Sequence, residues 1–330
     1  MNKTTTGVLF GVAASVSFGA SGPFAKALID AGFSPLQAVW LRVVGAAAVL
    51  LAASPPARRR GLVRVLRRRG GAVAVYGLAA VAACQALYFV AASRLPVGVA
   101  ILLEFTGPVL VVGWERLVRR RPVARVSVAG VTVAMAGLAC VVQIWSGVRL
   151  DPVGIAAGLG AGAGNAAFFL LIDRLTGAVD PLSLTLGGML VGAVALLPLA
   201  APWSVPWSVL TRDVALGTGS APGWLLAGSV VIVSTVIAYL AGTVAVQRLS
   251  APIAAGLAYV EPAAAATIAW LALGERLSPV QISGGLVVLA GAFLAQRGIA
   301  AARVNDDSAT AAGTALHDAG APGLEPAPLP

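Results

Sequence analysis

Ten apolar stretches of about 20 residues run through nearly the whole chain. A helix needs about 20 apolar residues to cross the hydrocarbon core of a bilayer. Inside lipid, every backbone N–H and C=O must find its partner within the protein, which leaves helices and closed barrels as the only spanning structures. The stretches are 7–28, 34–53, 70–92, 97–118, 126–144, 152–172, 181–200, 223–245, 251–273 and 279–297. Their length and continuity predict helices. Most connections are short, which favours antiparallel neighbours; the two longer ones, 54–69 and 201–222, carry Arg and Pro/Trp respectively. The first stretch follows Lys3 and contains the small-residue run Phe18-Gly-Ala20, as a secretory signal would. It continues to Leu28, beyond a signal's usual apolar core, and reads as a span.

Composition narrows the class. The chain is 58% hydrophobic and 11% charged, against about 25% charged in soluble domains, and it is far too apolar for disorder. Cys84 and Cys140 lie in apolar runs, so no disulfide framework is readable. The single histidine, His317, sits in a polar tail, which leaves a zinc site, a haem pair or a Ser-His triad without partners. No Gly-rich phosphate loop is present, which argues against an ATP-driven pump. No metal, cofactor or enzymatic activity is expected. Residues 298–330, rich in Ala, Gly, Pro and Asp without a period, read as a disordered tail.

The chain repeats itself. Gly7, Gly11 and Pro35-Leu36 match Gly154, Gly158 and Pro181-Leu182. The pattern Arg94, Leu95, Ala100, Leu103, Pro108 returns as Arg248, Leu249, Ala254, Leu257, Pro262, and the same offset pairs Gly130 with Gly284 and Ala136-Gly137 with Ala290-Gly291. An E-R-L triplet follows both prolines, at Glu115–Leu117 and Glu275–Leu277, though not at equal distance. Five spans per copy, an odd number, place the second copy upside-down relative to the first. Inverted repeats around an in-plane axis are a transporter design with the substrate near the midplane. The first unit is read as 1–145, the second as 146–297 and the tail as 298–330.

Charge sets orientation. Of the 23 Lys and Arg residues, seventeen fall on the side of Lys3 and the Arg clusters 58–69 and 116–125. Lys26, Arg94, Arg149, Arg212 and Arg276 fall on the other side, and Arg42 lies within a span. The positive-inside rule then puts both termini in the cytoplasm, in the cell membrane. Trp145, Trp203, Trp207 and Trp224 fall at the opposite interface, where an aromatic belt belongs. The net charge of +10 is explained by Arg runs beside spans, which meet anionic lipid head groups rather than nucleic acid.

A charge inside the membrane costs about 2.5–3.5 kcal/mol on insertion scales, so each needs a reason. Glu261 lies ten residues into its span, roughly 15 Å deep at ~1.5 Å per residue, with Pro262 following to free a backbone carbonyl. A carboxylate there suits an ammonium group or an exchangeable proton, or is a protonated acid bonded to a neighbouring helix. Glu104 precedes Pro108 by one turn, and in the repeat register Glu261 matches Gly107, three positions from Glu104. The two acids thus approach one central cavity from opposite copies, and acids sharing a low-dielectric site favour the protonated form. That is what a proton-coupled exchanger needs; the alternative is a Glu bonded to Arg42 or Lys26 to hold helices together. Arg42, mid-span and always charged, calls for a buried ion pair or a ligand carboxylate. Lys26, near the outer end of span 1, is placed to snorkel. Gln85 and Tyr88 on span 3, Asn165 on span 6, and Ser234, Thr235 and Tyr239 on span 8 complete the polar candidates.

The stretch Leu95-Pro-Val-Gly-Val-Ala-Ile-Leu-Leu-Glu-Phe-Thr-Gly-Pro108 resembles the fourth span of threonine/homoserine exporters in the drug/metabolite transporter superfamily. Gly19-Ala-Ser-Gly-Pro-Phe-Ala-Lys26 and Leu41-Arg42 resemble the first two spans of the same family. Arg248-Leu-Ser-Ala-Pro, Tyr259-Val-Glu-Pro262 and Leu273-Gly-Glu-Arg-Leu-Ser-Pro279 are similar to paired EamA domains. The resemblance covers about residues 7–297. It implies an all-α integral membrane protein of ten transmembrane helices in two inverted five-helix EamA-type repeats, exporting small metabolites; the two acids point to proton exchange. It carries Glu104, Glu261, Arg42 and Lys26 over as counterparts of family residues. Neutral amino acids are the first substrate expectation and lipophilic cations the second; a membrane sensor or enzyme ranks last. A homodimer is compatible with this design.

Overall fold

In lipid, ten helices that close their own hydrogen bonds are the solution the apolar stretches allow, and the computed structural model has that form. It describes residues 3–120, 124–142, 150–175, 180–217, 219–249, 257–294 and 297. Trp145, Arg149, Ala254 and the tail 298–330 with His317 lie outside them. Six of the described helices are long and apolar enough to cross a membrane, and shorter apolar helices stand at Arg125–Val141, Val260–Leu273 and Pro279–Leu294.

Several spans are not simple helices. Span 1 divides at Ala20 into Lys3–Gly19 and Ser21–Asp30. Span 2 is Pro35–Ala53, started by a capping box in which Ser34 and Gln37 exchange side-chain and backbone bonds. Span 7, Pro181–Ala200, starts the same way on Asp180, whose carboxylate accepts from the Ser183 N–H at 2.9 Å. The repeat-matched Pro35 and Pro181 are therefore first-turn prolines, where the missing N–H costs nothing.

Span 4 breaks into Val97–Glu104 and Gly107–Leu117, and span 9 has a turn at Ala258-Tyr259 before Val260–Leu273. Pro108 and Pro262 sit in the first turn of the second piece, not within a continuous helix. The break lies just upstream of each, at Phe105-Thr106 and Ala258-Tyr259.

Spans 3 and 8 each contain a π-helical segment, Gly77–Ala83 and Ser229–Ile237. The two occupy the same place in their repeats. Such segments widen the helix and frequently mark functional sites.

The repeats interlock reciprocally. Span 1 packs antiparallel along span 8, and span 6 (Pro152–Leu175) along span 3. A Cβ at Gly7 would stand 2.7 Å from Leu249, and one at Gly154 would stand 2.7 Å from Leu95, the repeat partner of Leu249. The matched glycines of spans 5 and 10 are the crossing of those helices. A Cβ on Gly137 would lie 2.5 Å from Val288 N, and one on Gly284 would lie 2.6 Å from Cys140 Cβ. Small residues let backbones approach where no hydrophobic force between helices exists.

The connection 201–222 is built, not loose. Two 3₁₀ turns, Pro202–Ser204 and Trp207–Thr211, lead into an antiparallel hairpin of β1 (Asp213–Leu216) and β2 (Gly219–Pro222). Arg212 Nη2 donates to Ala31 O at 2.7 Å and Gln37 Nε2 to Ser204 Oγ at 3.2 Å, tying it to spans 1 and 2. This small sheet was not expected from the sequence. Trp203, Trp207 and Trp224 lie exposed on this hairpin face.

At the opposite, arginine-rich face, the helix Pro56–Tyr76 kinks at Arg69 (φ −131°, ψ 23°), separating its Arg-bearing half from span 3. Arg59 donates to the carbonyls of Leu51, Ala52 and Ser54 at 3.0–3.1 Å, closing the C-terminus of span 2.

Candidate functional site

Arg42 is 3% exposed, and neutral groups hold it. Its Nε donates to Thr235 Oγ1 at 2.9 Å, Nη1 to Gln85 Oε1 at 2.7 Å and Nη2 to the Ser234 carbonyl at 3.3 Å. The guanidinium carbon lies 5.7 Å from the Phe89 ring centre. Two of these partners come from the π segment of span 8, where Thr235 in turn donates to Val230 O at 2.8 Å, five residues back. Three of the five guanidinium N–H bonds are used, and two remain, one on each Nη.

Of the two roles open to Arg42, the buried ion pair does not form among the described residues. Lys26 pairs with Glu275 at 2.6 Å and Arg94 with Asp151 at 3.0 Å. Neither involves Arg42, Glu104 or Glu261. These last three nonetheless lie within electrostatic reach of one another.

Glu104 ends the half-helix Val97–Glu104, and its carboxylate faces Cys84 Sγ at 3.6 Å, with Asn165 in hydrogen-bonding reach. Cys84 Sγ is also 3.4 Å from Ala161 O, so its one S–H serves either acceptor. Glu104 is thus bonded to a thiol and an amide, not to Arg42 or Lys26 as the structural alternative supposed.

Glu261 lies in the first turn of Val260–Leu273, where the positive end of the helix favours a carboxylate. A Cβ on Gly19 would stand 2.9 Å from the Glu261 carbonyl oxygen, so span 1 passes directly over it. The aromatic residues at the two helix breaks, Phe105 and Tyr259, meet edge-on with centroids 5.8 Å apart.

The pseudo-symmetry is broken where charge is needed. A side chain at Gly107, the repeat counterpart of Glu261, would meet Asn165 Oδ1 at 3.0 Å, so the first repeat carries its acid one turn earlier, at Glu104. In the register of Pro35 and Pro181, Arg42 corresponds to Gly188. The space there is filled by the Tyr76 ring, 2.6 Å from a Cβ on Gly188. One arginine and two acids result, rather than two of each.

Tyr88 is buried, packs on Phe89 at 5.6 Å and abuts Gly22. Tyr239 meets Phe18 edge-on at 5.0 Å. Among the described residues, Tyr88 Oη, Asn165 Oδ1, Ser234 Oγ and Trp40 Nε1 are buried without a hydrogen-bond partner. Buried polar groups are normally satisfied, and three of these atoms lie around Arg42 and Glu104.

Lys26 is elsewhere. It does not snorkel but bonds Glu275 and the Leu95 carbonyl at the hairpin face. A cavity of about 530 Å³ near that face is lined by Ser34, Ser93 and Arg94 among apolar residues. Ser34 is spent on capping span 2 and Arg94 on Asp151, so this cavity offers little chemistry.

Cys84 and Glu275 carry roles the sequence reading missed. Cys84 was hidden by its apolar run, though it adjoins Gln85. In the sequence Glu275 stands out only as part of a matched triplet, although an acid directly after Gly274 at a span's end is the available signal.

Ten spans in two interlocked halves, with charged residues gathered inside the spans where the halves meet, define a polytopic membrane transporter. The chain belongs to the EamA-like transporter family, whose profile matches residues 5–143 and 152–296. That family comprises transporters, not enzymes. The chain is similar to the threonine/homoserine exporter RhtA of Escherichia coli K12, 31% identical over 203 residues, which are 59% of this chain and 61% of that protein. RhtA of Salmonella typhimurium LT2 is 29% identical over 211 residues, 62% of this chain and 64% of that one. The match therefore spans less than two thirds of these relatives' length. An uncharacterized transporter of Bacillus subtilis, YwfM, is 27% identical over 230 residues, 67% of this chain and 74% of its own length. One solved crystal structure of a protein superposes with a TM-score of 0.57 at 19% identity, covering 88% of this chain and 96% of the other, a likeness of fold.

Proposed function

We propose that the chain is a secondary exporter of small zwitterionic metabolites, neutral amino acids such as threonine or homoserine first among them, working by proton exchange. The observation that carries this reading is a buried arginine and two half-buried acids in one centre with no ion pair between them. The two remaining N–H bonds of Arg42 suit a carboxylate, since a guanidinium fork binds carboxylates in bidentate fashion. Glu104 and Glu261 suit an ammonium group and exchangeable protons. Gln85, Tyr88, Asn165 and Tyr239 frame the guest. The two repeats rock about this centre, exposing it to each side in turn. The protein lies in the cell membrane, with both termini and the arginine-rich face toward the cytoplasm. The likeness to RhtA supports the substrate class.

A second reading, export of lipophilic cations, draws on the Phe105–Tyr259 pair beside the two acids, since aromatic faces attract cations. Arg42→Met separates the two. Loss of amino-acid counterflow in the variant supports the first reading, and cation resistance conferred equally by parent and variant, without amino-acid counterflow in either, supports the second.

A further inference from the structure

Glu275 stands just past Gly274, whose left-handed backbone (φ +70°) ends the span 9 helix. Its two oxygens serve two elements of the other repeat. Oε1 accepts from Lys26 Nζ at 2.6 Å, and Oε2 accepts from the Val97 N–H at 2.7 Å. Lys26 also donates to Leu95 O at 3.0 Å. One carboxylate of the second repeat thus joins the outer half of span 1, Ser21–Asp30, to the start of Val97–Glu104. Glu104 lies at the far end of that half-helix, seven residues on, or about 10 Å at ~1.5 Å per residue.

We propose that Lys26 and Glu275 form a latch between the two repeats, which holds the hairpin-face mouth closed in this conformation and parts when that mouth opens. The inference rests on alternating access as proposed above. At the arginine-rich face, span 1 meets the second repeat through apolar contacts at Gly7 and Gly11 and through Ser15 Oγ on Leu257 O at 2.9 Å. The ion pairs Lys26–Glu275 and Arg94–Asp151, which join the repeats, both lie at the hairpin face. The other pair there, Arg94–Asp151, is 45% and 35% exposed, and such surface pairs contribute little.

Lys26 and Glu275 are only 17% and 16% exposed, so their bond is short, charge-assisted and largely shielded from water. Removing one partner leaves the other charge desolvated in the closed state. Opening the mouth hydrates both. The pair therefore favours closure without making opening prohibitive. Because Glu275 also binds the first amide of the half-helix, parting the latch releases the element that carries Glu104. Glu275 is in this sense a positioning residue, acting on the site through Val97 and not by touching substrate.

Cys84, buried beside Glu104, reports the state of the mouth without any substrate, so the latch and the transport reading can fail separately. In a Cys140→Ser background, labelling of Cys84 by a membrane-impermeant maleimide is measured in intact cells and in inside-out vesicles. A separate Trp203→Cys variant identifies which preparation presents the hairpin face. Lys26→Met and Glu275→Gln, each confirmed folded by its helical circular dichroism and monodisperse elution, are expected to raise labelling from that face at least ~10-fold, about 1.4 kcal/mol of shifted equilibrium. Lys26→Arg, which keeps the charge, is expected to stay near the parent rate. Parental labelling in either folded neutral variant overturns the latch. So does faster labelling in Lys26→Arg equal to that of Lys26→Met, because the charge pair would then not be the cause.

Discussion

Arg42 Nη1 donates to Gln85 Oε1 at 2.7 Å, so a guanidinium buried at mid-span is held by a neutral amide and keeps its full charge. A carboxylate in place of Gln85 would have spent that charge on the protein. With Thr235 and Ser234 as the other partners, the head group is fixed in direction and still attractive to an anion.

Replacing Gln85 by Leu leaves a buried N–H of Arg42 unsatisfied, at a cost of about 1–3 kcal/mol. Substrate affinity in binding or counterflow assays is expected to fall about 10–100-fold, with Gln85→Glu also impaired because it neutralises Arg42. Unchanged affinity in Gln85→Leu would remove Arg42 from the binding centre.

Glu261→Gln removes an ionisable group while keeping size and hydrogen bonding. Transport driven by an imposed proton gradient is expected to be lost, while gradient-free counterflow persists at a reduced rate. A variant that still responds fully to the gradient would take Glu261 out of the coupling.

Gly137→Leu forces a side chain into backbone already in contact, where a Cβ would lie 2.5 Å from Val288 N. Overpacking of this kind costs about 1–3 kcal/mol. A lowered unfolding temperature is expected in detergent, with Gly113→Leu, where a Cβ would meet open space, as the control. Equal losses in both would discount the spans 5 and 10 crossing.

Asp151 caps the start of span 6 outside the membrane. The Gly154 N–H at 2.8 Å, with Arg94 adding to it, holds its carboxyl below the ordinary Asp value. A group held low in the folded state contributes stability above its unfolded pKa and loses it as pH falls through the folded one. The stability gap between parent and Asp151→Ala is therefore expected to be constant near neutrality and to shrink below about pH 4. A gap that widens on acidification would contradict the capping role.

What the sequence made legible was whatever obeyed length and period. Spans 2 and 7 announce themselves by apolar runs opened by Ser34-Pro35 and Asp180-Pro181, and the Arg cluster before span 3 ends at the kink on Arg69. The matched glycines of spans 5 and 10 were visible, though not that they touch each other. The acids stood out because charge in an apolar run is costly. Their partners did not, because partnership is set by packing between distant helices. Lys26 and Glu275 are 249 positions apart, and the neutral setting of Arg42 depends on π segments that no apolar pattern signals. The hairpin at 213–222 was hidden by short strands with little alternation. Prolines misled slightly: Pro108 and Pro262 mark helix starts, and the breaks lie just before them.

The central claim is tested most directly by efflux of preloaded radiolabelled threonine from proteoliposomes, with and without an imposed proton gradient. The account predicts efflux that quickens when protons are supplied on the receiving side and collapses when the gradient is dissipated. Correctly folded protein that releases threonine no faster than empty vesicles, under either condition, would contradict it and turn attention to organic cations.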